Sequence, residues 1–169
     1  HRRGLCAQPP HRAEADGAVS GLALNIRPYA AADEEAAIEL WRRSWQFAYP
    51  DIDFAARVGW WRERWRSELV PHARIVVAEM DGVLEGFVTV DPKSGYLDQI
   101  VVAPEFWGSN VATLLLDAGK RISPVRIELL VNKDNARAIG FYEKHGFELA
   151  GDDVNPVSGR PVHRMRWRP

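Results

Sequence analysis

The sequence predicts an α/β or α+β fold, with a mixed, mostly antiparallel twisted sheet of about six to seven strands flanked by about four helices. Three observations predict it. Short apolar runs alternate with amphipathic stretches along most of the 169 residues. Asp81-Gly82 lies between two such runs, the turn signal of a tight hairpin. Pro104, Pro124 and Gly146 then punctuate the second half so that β-α-β-α units follow an antiparallel meander.

Each element follows from local pattern. Leu24, Ile26 and Pro28 suggest a first strand over Leu24–Tyr29, and Pro28 fits an edge better than a centre. Asp33 can cap a helix through Phe47 with Ala37, Leu40, Trp41, Ser44 and Trp45 on one face. Tyr49-Pro50-Asp51 breaks it, Asp53 caps a second helix to Leu69, and Pro71 ends that one. Ile75–Met80 and Val83–Val90 form the hairpin, Asp91–Gly95 turns, and Tyr96–Val102 is a fourth strand closed by Pro104. Val111, Leu114, Leu115, Ala118 and Ile122 stripe the next helix, which Pro124 ends. Val125–Val131 is a fifth strand, Asn135–His145 a helix with Gly146 as its left-handed cap, and Phe147–Leu149 and Val162–Trp167 the last strands.

Composition bounds the rest. The length suits one domain able to bury about two-thirds of its unfolded surface. Residues 1–22 are rich in Ala, Arg, Pro and Gly without period, and read as a disordered arm or an expression remnant, with the folded domain over 23–169. A net charge of −1 with interspersed signs argues against nucleic acid as a partner. The single cysteine, Cys6, excludes an internal disulfide and fits a reducing, cytoplasmic setting. No apolar run approaches the ~20 residues of a membrane span. His72, His145 and His163 lack ligand spacing, so no metal is expected. Five of the seven tryptophans (Trp41, Trp45, Trp60, Trp61, Trp65) cluster between residues 41 and 65, as packing or as an aromatic-lined groove.

Two segments carry chemistry. Ile100–Ala112, IVVAPEFWGSNVA, is a strand, a Pro break, then small and permissive residues opening a helix. Such a helix start offers free backbone N–H groups and a positive dipole end, a seat for an anion such as pyrophosphate. It is not a P-loop, for no Lys-Ser or Lys-Thr follows, nor a dinucleotide fingerprint, for two of three glycines are missing. Thr113 can add a hydroxyl one turn in. In the second segment, Asn135, Ala138 and Tyr142 fall at i, i+3 and i+7 on one helix face. Asn135 reads as an N-cap, a ligand contact or both; Tyr142 reads as a core aromatic or a proton donor.

The patterns V-x-P-x-x-x-G-x-x-x-A-x-x-L-L and L-x-V-x-x-x-N-x-x-A-x-x-F-Y-x-x-x-G-F resemble the GNAT superfamily of acyl-CoA-dependent N-acyltransferases, over Leu24–Trp167. Asn135, Ala138, Phe141, Tyr142, Gly146 and Phe147 all match. Trp107 stands where the family has Gln or Arg, and Asn110 where it has glycine, a change softened by the tolerance of Asn for left-handed backbone. The resemblance implies a GNAT-like sheet and transfer of an acetyl group from acetyl-CoA to a primary amine. That amine would be a small molecule or a protein or peptide, attacking directly in a ternary complex. It implies that the backbone of Ile100, Val101 and Val102 pairs with the pantetheine arm. Trp107, Gly108, Ser109, Asn110, Val111, Ala112 and Thr113 would hold the diphosphate, with Asn135 and Ala138 along the arm. Tyr142 would protonate the departing thiolate. Some relatives carry a basic glutamate five residues before the motif Asn; here that residue is Leu130, and Glu128 and Asp98 are the base candidates, each more readily read as a solvated carboxylate. Trp45, Phe47 and Tyr49 fall where the family covers its acceptor. Lys133, Arg137 and Lys144 could meet phosphates or simply face water. A non-catalytic CoA-binding or partner-binding module, a nucleotide-binding module unrelated to acyl transfer, and a homodimer remain open.

Overall fold

The strands form in the predicted order but assemble into two sheets that touch at one point. The computed structural model describes residues 23–169; the arm expected over 1–22, with Cys6, lies outside the described residues. Strands β1 (Leu24–Pro28), β2 (Arg74–Met80), β3 (Val83–Val90) and β4 (Leu97–Val102) make one antiparallel sheet in that order. Strands β5 (Ile127–Asn132), β6 (Phe147–Val154) and β7 (Pro161–Trp167) make the other, with β7 between β5 and β6. The sheets meet through a parallel bridge between Tyr96 and Glu128, where the Glu128 N–H donates to the Gly95 carbonyl at 3.0 Å.

Local chemistry accounts for most boundaries. Asp81 at φ 50° and Gly82 at φ 76° form the tight turn between β2 and β3, and Gly146 at φ 90° follows the helix α5 (Ala136–Lys144). Pro28 ends β1, an edge strand, where its missing N–H costs no ladder bond. The helix α1 (Glu34–Ala48) buries Ala37, Leu40, Trp41, Ser44 and Trp45, as its period predicts. Several expectations shift. Asp33 precedes α1 without a side-chain capping bond, and Asp53 accepts from the Ala56 N–H in a 3-10 turn, Ala55–Arg57, that comes before the second helix. Pro71 does not end the second helix: α2 (Val58–Arg64) runs through a π-helical turn, Trp65–Leu69, into the short α3 (Val70–His72), where Pro71 sits in the first turn. β5 starts two residues later than Val125, because Ser123 Oγ donates to the Arg126 carbonyl at 2.6 Å and holds a turn there. β6 runs to Val154, beyond Leu149, because β7 pairs with its exposed, polar continuation. Counting 58–72 as one helical run with α1, α4 (Val111–Ile122) and α5 gives the expected four.

The helices divide the core in two. On one face, α1 and α2 pack Trp41, Trp45, Trp61 and Trp65 against Val77, Phe87, Val101 and Ala103. Trp41 and Trp61 stack at 4.6 Å, and all four tryptophans are buried, so packing explains most of the aromatic cluster. On the other face, α4 and α5 pack Val111, Leu115 and Tyr142 against Val88, Ile100 and Val102. No helix among the described residues is long and apolar enough to cross a membrane.

Gly86 sets the seat of α4. A Cβ there would meet Leu115 Cδ1 at 2.8 Å and the Val101 carbonyl oxygen at 2.9 Å. The Gly86→Ala variant is expected to lose about 1–3 kcal/mol of stability through overpacking, measured as a lower urea midpoint at an unchanged slope.

Candidate active site

The site begins with the edge of β4. The Ala103 N–H donates to the Glu85 carbonyl at 2.8 Å, so Ala103, Val101 and Gln99 direct their backbone groups at β3. Ile100 and Val102 alternate with them and direct theirs at the side where β5 has parted. Among the described residues no strand pairs with that edge beyond Tyr96. Val101, expected with its neighbours at the binding edge, therefore spends its backbone on β3. The Val102 carbonyl accepts two side-chain donors, Ser44 Oγ at 3.0 Å and Trp107 Nε1 at 2.7 Å. The Trp that replaces a polar motif residue thus covers a carbonyl on the edge itself.

The parting is held open from below. Asp98 is the extra residue of a β-bulge, since Gln99 opposes Thr89 while Leu97 opposes Val90. The Gln99 N–H donates to Thr89 Oγ1 at 3.1 Å. Asp98 is 6% exposed and Arg64 5%. Arg64 grips it with both terminal nitrogens, Nη1 at 2.9 Å to Oδ1 and Nη2 to Oδ2, while Glu68 lies 3.1 Å from Nε. Burial opposes the Arg64 charge, but the Asp98 carboxylate outweighs it and raises the guanidinium pKa. Glu128 is likewise engaged, by Arg166 at 2.7 Å. Both base candidates line a cavity of about 770 Å³ at the closed end of the strands, away from Val102 and Asn132. Neither is a free carboxylate.

At the open end the chain turns into α4. Gly108 takes φ 85°, a backbone that side chains rarely adopt, and opens the loop before the helix. Asn110 is the N-cap at φ −82°, so the left-handed backbone invoked for its substitution is not needed there; it falls on Gly108 instead. The Asn110 side chain makes no capping bond, while Ser109 Oγ accepts from the Val111 N–H at 3.3 Å. The first N–H groups of α4 thus sit at the open end with the positive end of the helix dipole. Thr113 is tied elsewhere. His145 Nδ1 can only donate to the Phe141 carbonyl at 2.8 Å, so neutral His145 accepts the Thr113 hydroxyl at Nε2, at 3.2 Å. Opposite, Asn135 caps α5, its Oδ1 accepting from the Ala138 N–H at 3.3 Å. Its amide donors are outside that bond. Ala138 and Tyr142 are fully buried on the same core face as Val111 and Ala112. The carrier residues that the sequence names therefore gather, apart from Val101, on the α4–α5 face of the parting.

A second cavity, of about 360 Å³, lies on the opposite face at the same open end. Trp45 and Tyr49 line it; Phe47, grouped with them, is 60% exposed and packs edge-on against Trp107 at 5.0 Å. Asn132 closes it from β5, its Nδ2 donating to the Tyr49 hydroxyl at 2.9 Å. Sequence reasoning missed Arg57 and Arg160, which also line it, because they lie far apart in the chain in loops of ordinary composition. It also missed Glu85, whose pKa is raised by burial and then by Glu105. That carboxylate sits by Arg43, on the side of α1 away from Trp45, since residues two apart on a helix point about 200° apart. Lys133 pairs with Asp152 at 3.3 Å.

Comparison with known proteins identifies the family and the fold. A family model described as acetyltransferase (GNAT) family matches residues 34–147. The chain is 27% identical to the peptidyl-lysine N-acetyltransferase YjaB of Salmonella typhimurium over 139 residues, 82% of this chain and 92% of the relative. A PaiA N-acetyltransferase of Thermoplasma acidophilum, solved with coenzyme A, has the same fold at TM-score 0.71 and 22% identity, over 87% of this chain and 99% of that one. The apo form of YjaB from Escherichia coli matches at TM-score 0.67 and 24% identity, over 86% and 97%. The chain belongs to the GNAT family of acetyltransferases.

The buried ion pair makes a prediction that separates structure from catalysis. Asp98→Asn should cost about 3–5 kcal/mol of stability by stranding the Arg64 charge, seen in chemical denaturation. A stable variant that had lost turnover would instead mark Asp98 as the base.

Proposed function

We propose that this chain transfers an acetyl group from acetyl-CoA to a primary amine by direct attack in a ternary complex. The observation that carries the reading is the parting of β4 from β5, with a helix N-terminus on one face and an aromatic, basic cavity on the other. The residues present fit the carrier. Ile100 offers a backbone donor and acceptor, and Val102 a donor, to an extended amide arm, in the manner of an added strand. The Val102 carbonyl stays with Ser44 and Trp107. Gly108–Thr113 offer backbone N–H groups to a diphosphate, and Asn135 offers its amide to the arm.

Bound acetyl-CoA supplies a thioester carbonyl and a sulfur leaving group. The protein's part is to align and to move protons. Backbone N–H groups near Val102 polarise the carbonyl oxygen as charge develops on it. Tyr142 gives its hydroxyl proton to the departing sulfur. The cavity lined by Trp45, Tyr49 and Asn132 holds the amine facing the gap, so that binding replaces a bimolecular encounter. Asp98 and Glu128 are committed to arginines at the closed end, and no carboxylate lines the open-end cavity. The amine proton therefore leaves through water. A non-catalytic binding module is the second reading, favoured by Leu130 at the position of the basic glutamate in some relatives.

Two variants test the roles. Tyr142→Phe should lower kcat by about 10²–10⁴-fold with coenzyme A affinity nearly kept, read by thiol release and calorimetry. Asn110→Asp keeps a good N-cap but sets a carboxylate beside the diphosphate. It should weaken coenzyme A by about tenfold or more with the melting temperature unchanged or higher. Unchanged affinity would remove α4 from the site.

A further inference from the structure

The open-end cavity is cationic as well as aromatic. We infer that the amine accepted there carries an oxyanion of its own, a carboxylate or a phosphate ester, held by Arg57 and Arg160. This rests on the acetyltransferase reading and names the acceptor class for the same site.

Three observations support it. The charged side chains lining the cavity are Arg57 and Arg160, and no acid is among its lining residues. Each guanidinium lies over an aromatic ring, Arg57 over Phe54 at 5.3 Å and Arg160 over Tyr49 at 5.0 Å. A ring beneath the guanidinium carbon helps hold each cation at the cavity while its N–H groups remain available to an anion. Arg57 has no ion-pair partner among the described residues, and Arg160 meets Asp134 at 3.5 Å in an exposed contact, weak enough for a bound anion to displace.

The contrast with the closed-end cavity is instructive. There Arg64 is paired with Asp98 and Glu68, Glu128 with Arg166, and Asp91 also lines the wall, so that larger cavity is lined mainly by acids and does not suit an anion. A volume of about 360 Å³ suits one amino-acid-sized group, at the small end of ligand sites.

The test pairs acceptors that differ only in charge. Amino acids are compared with their carboxamides, lysine peptides ending in a free carboxylate with amidated ones, and aminoalkyl phosphates with aminoalcohols. Thiol release from acetyl-CoA gives kcat/KM for each, and calorimetry gives coenzyme A affinity. We expect at least a tenfold preference for the anionic member, carried by KM. Preference confined to carboxylates or to phosphates identifies the anion. In Arg57→Gln and Arg160→Gln, with melting and coenzyme A affinity checked, the preference should fall toward unity. Equal use of charged and uncharged partners by the unmodified protein, or a preference that survives both substitutions, overturns the inference. So does coenzyme A binding without turnover of any anionic amine. Absence of coenzyme A binding sinks the acetyltransferase reading instead.

Discussion

Strands β4 and β5 run parallel from a shared start at Tyr96 and Glu128, and then separate. A strand edge inside a protein must be satisfied by something, because a buried unpaired amide costs as much as a lost hydrogen bond. Here the edge belongs to Ile100 and Val102. One of its carbonyls is met by Ser44 and Trp107; the rest faces the gap. Everything assigned to this molecule depends on that gap being built in. The bulge at Asp98, gripped by Arg64, and the Thr89 hydroxyl standing in for a ladder bond fix where β4 bends.

The gap also joins two faces with different chemistry. α4 and α5 bring a helix N-terminus, Asn135 and Tyr142 to one side. α1 and its following loop bring Trp45, Tyr49 and Arg57 to the other. Ser44 and Trp45, adjacent in α1, connect the two: one bonds the β4 edge, the next lines the cavity. Under the proposed direct transfer, donor and acceptor would approach from opposite faces without competing for one pocket.

Much of this was legible in sequence because its causes are local. Asp81-Gly82 set a hairpin, Gly146 ended a helix, and the face shared by Asn135, Ala138 and Tyr142 followed from helical period alone. The motif residues then pointed to the family. What was not legible is non-local. Composition alone does not say that the apolar strands β4 and β5 stop pairing after one bridge; only the family resemblance implied that they splay. The buried partner of Asp98 lies far away in α2, so the sequence does not show that the carboxylate read as a possible base is ion-paired. Arg57 and Arg160 come together only when the loop after α1 meets the turn between β6 and β7. Pro71 misled because a π-helical turn absorbs the register change that a proline would otherwise force.

The most direct measurement is a coenzyme A titration followed by backbone amide NMR. The account predicts that the largest shifts fall on Ile100, Val102 and Gly108–Thr113, with Val101 moving less because it faces β3. Shifts centred instead on Arg64, Tyr96 and Arg126 at the closed-end cavity, or no shifts at all, would contradict it.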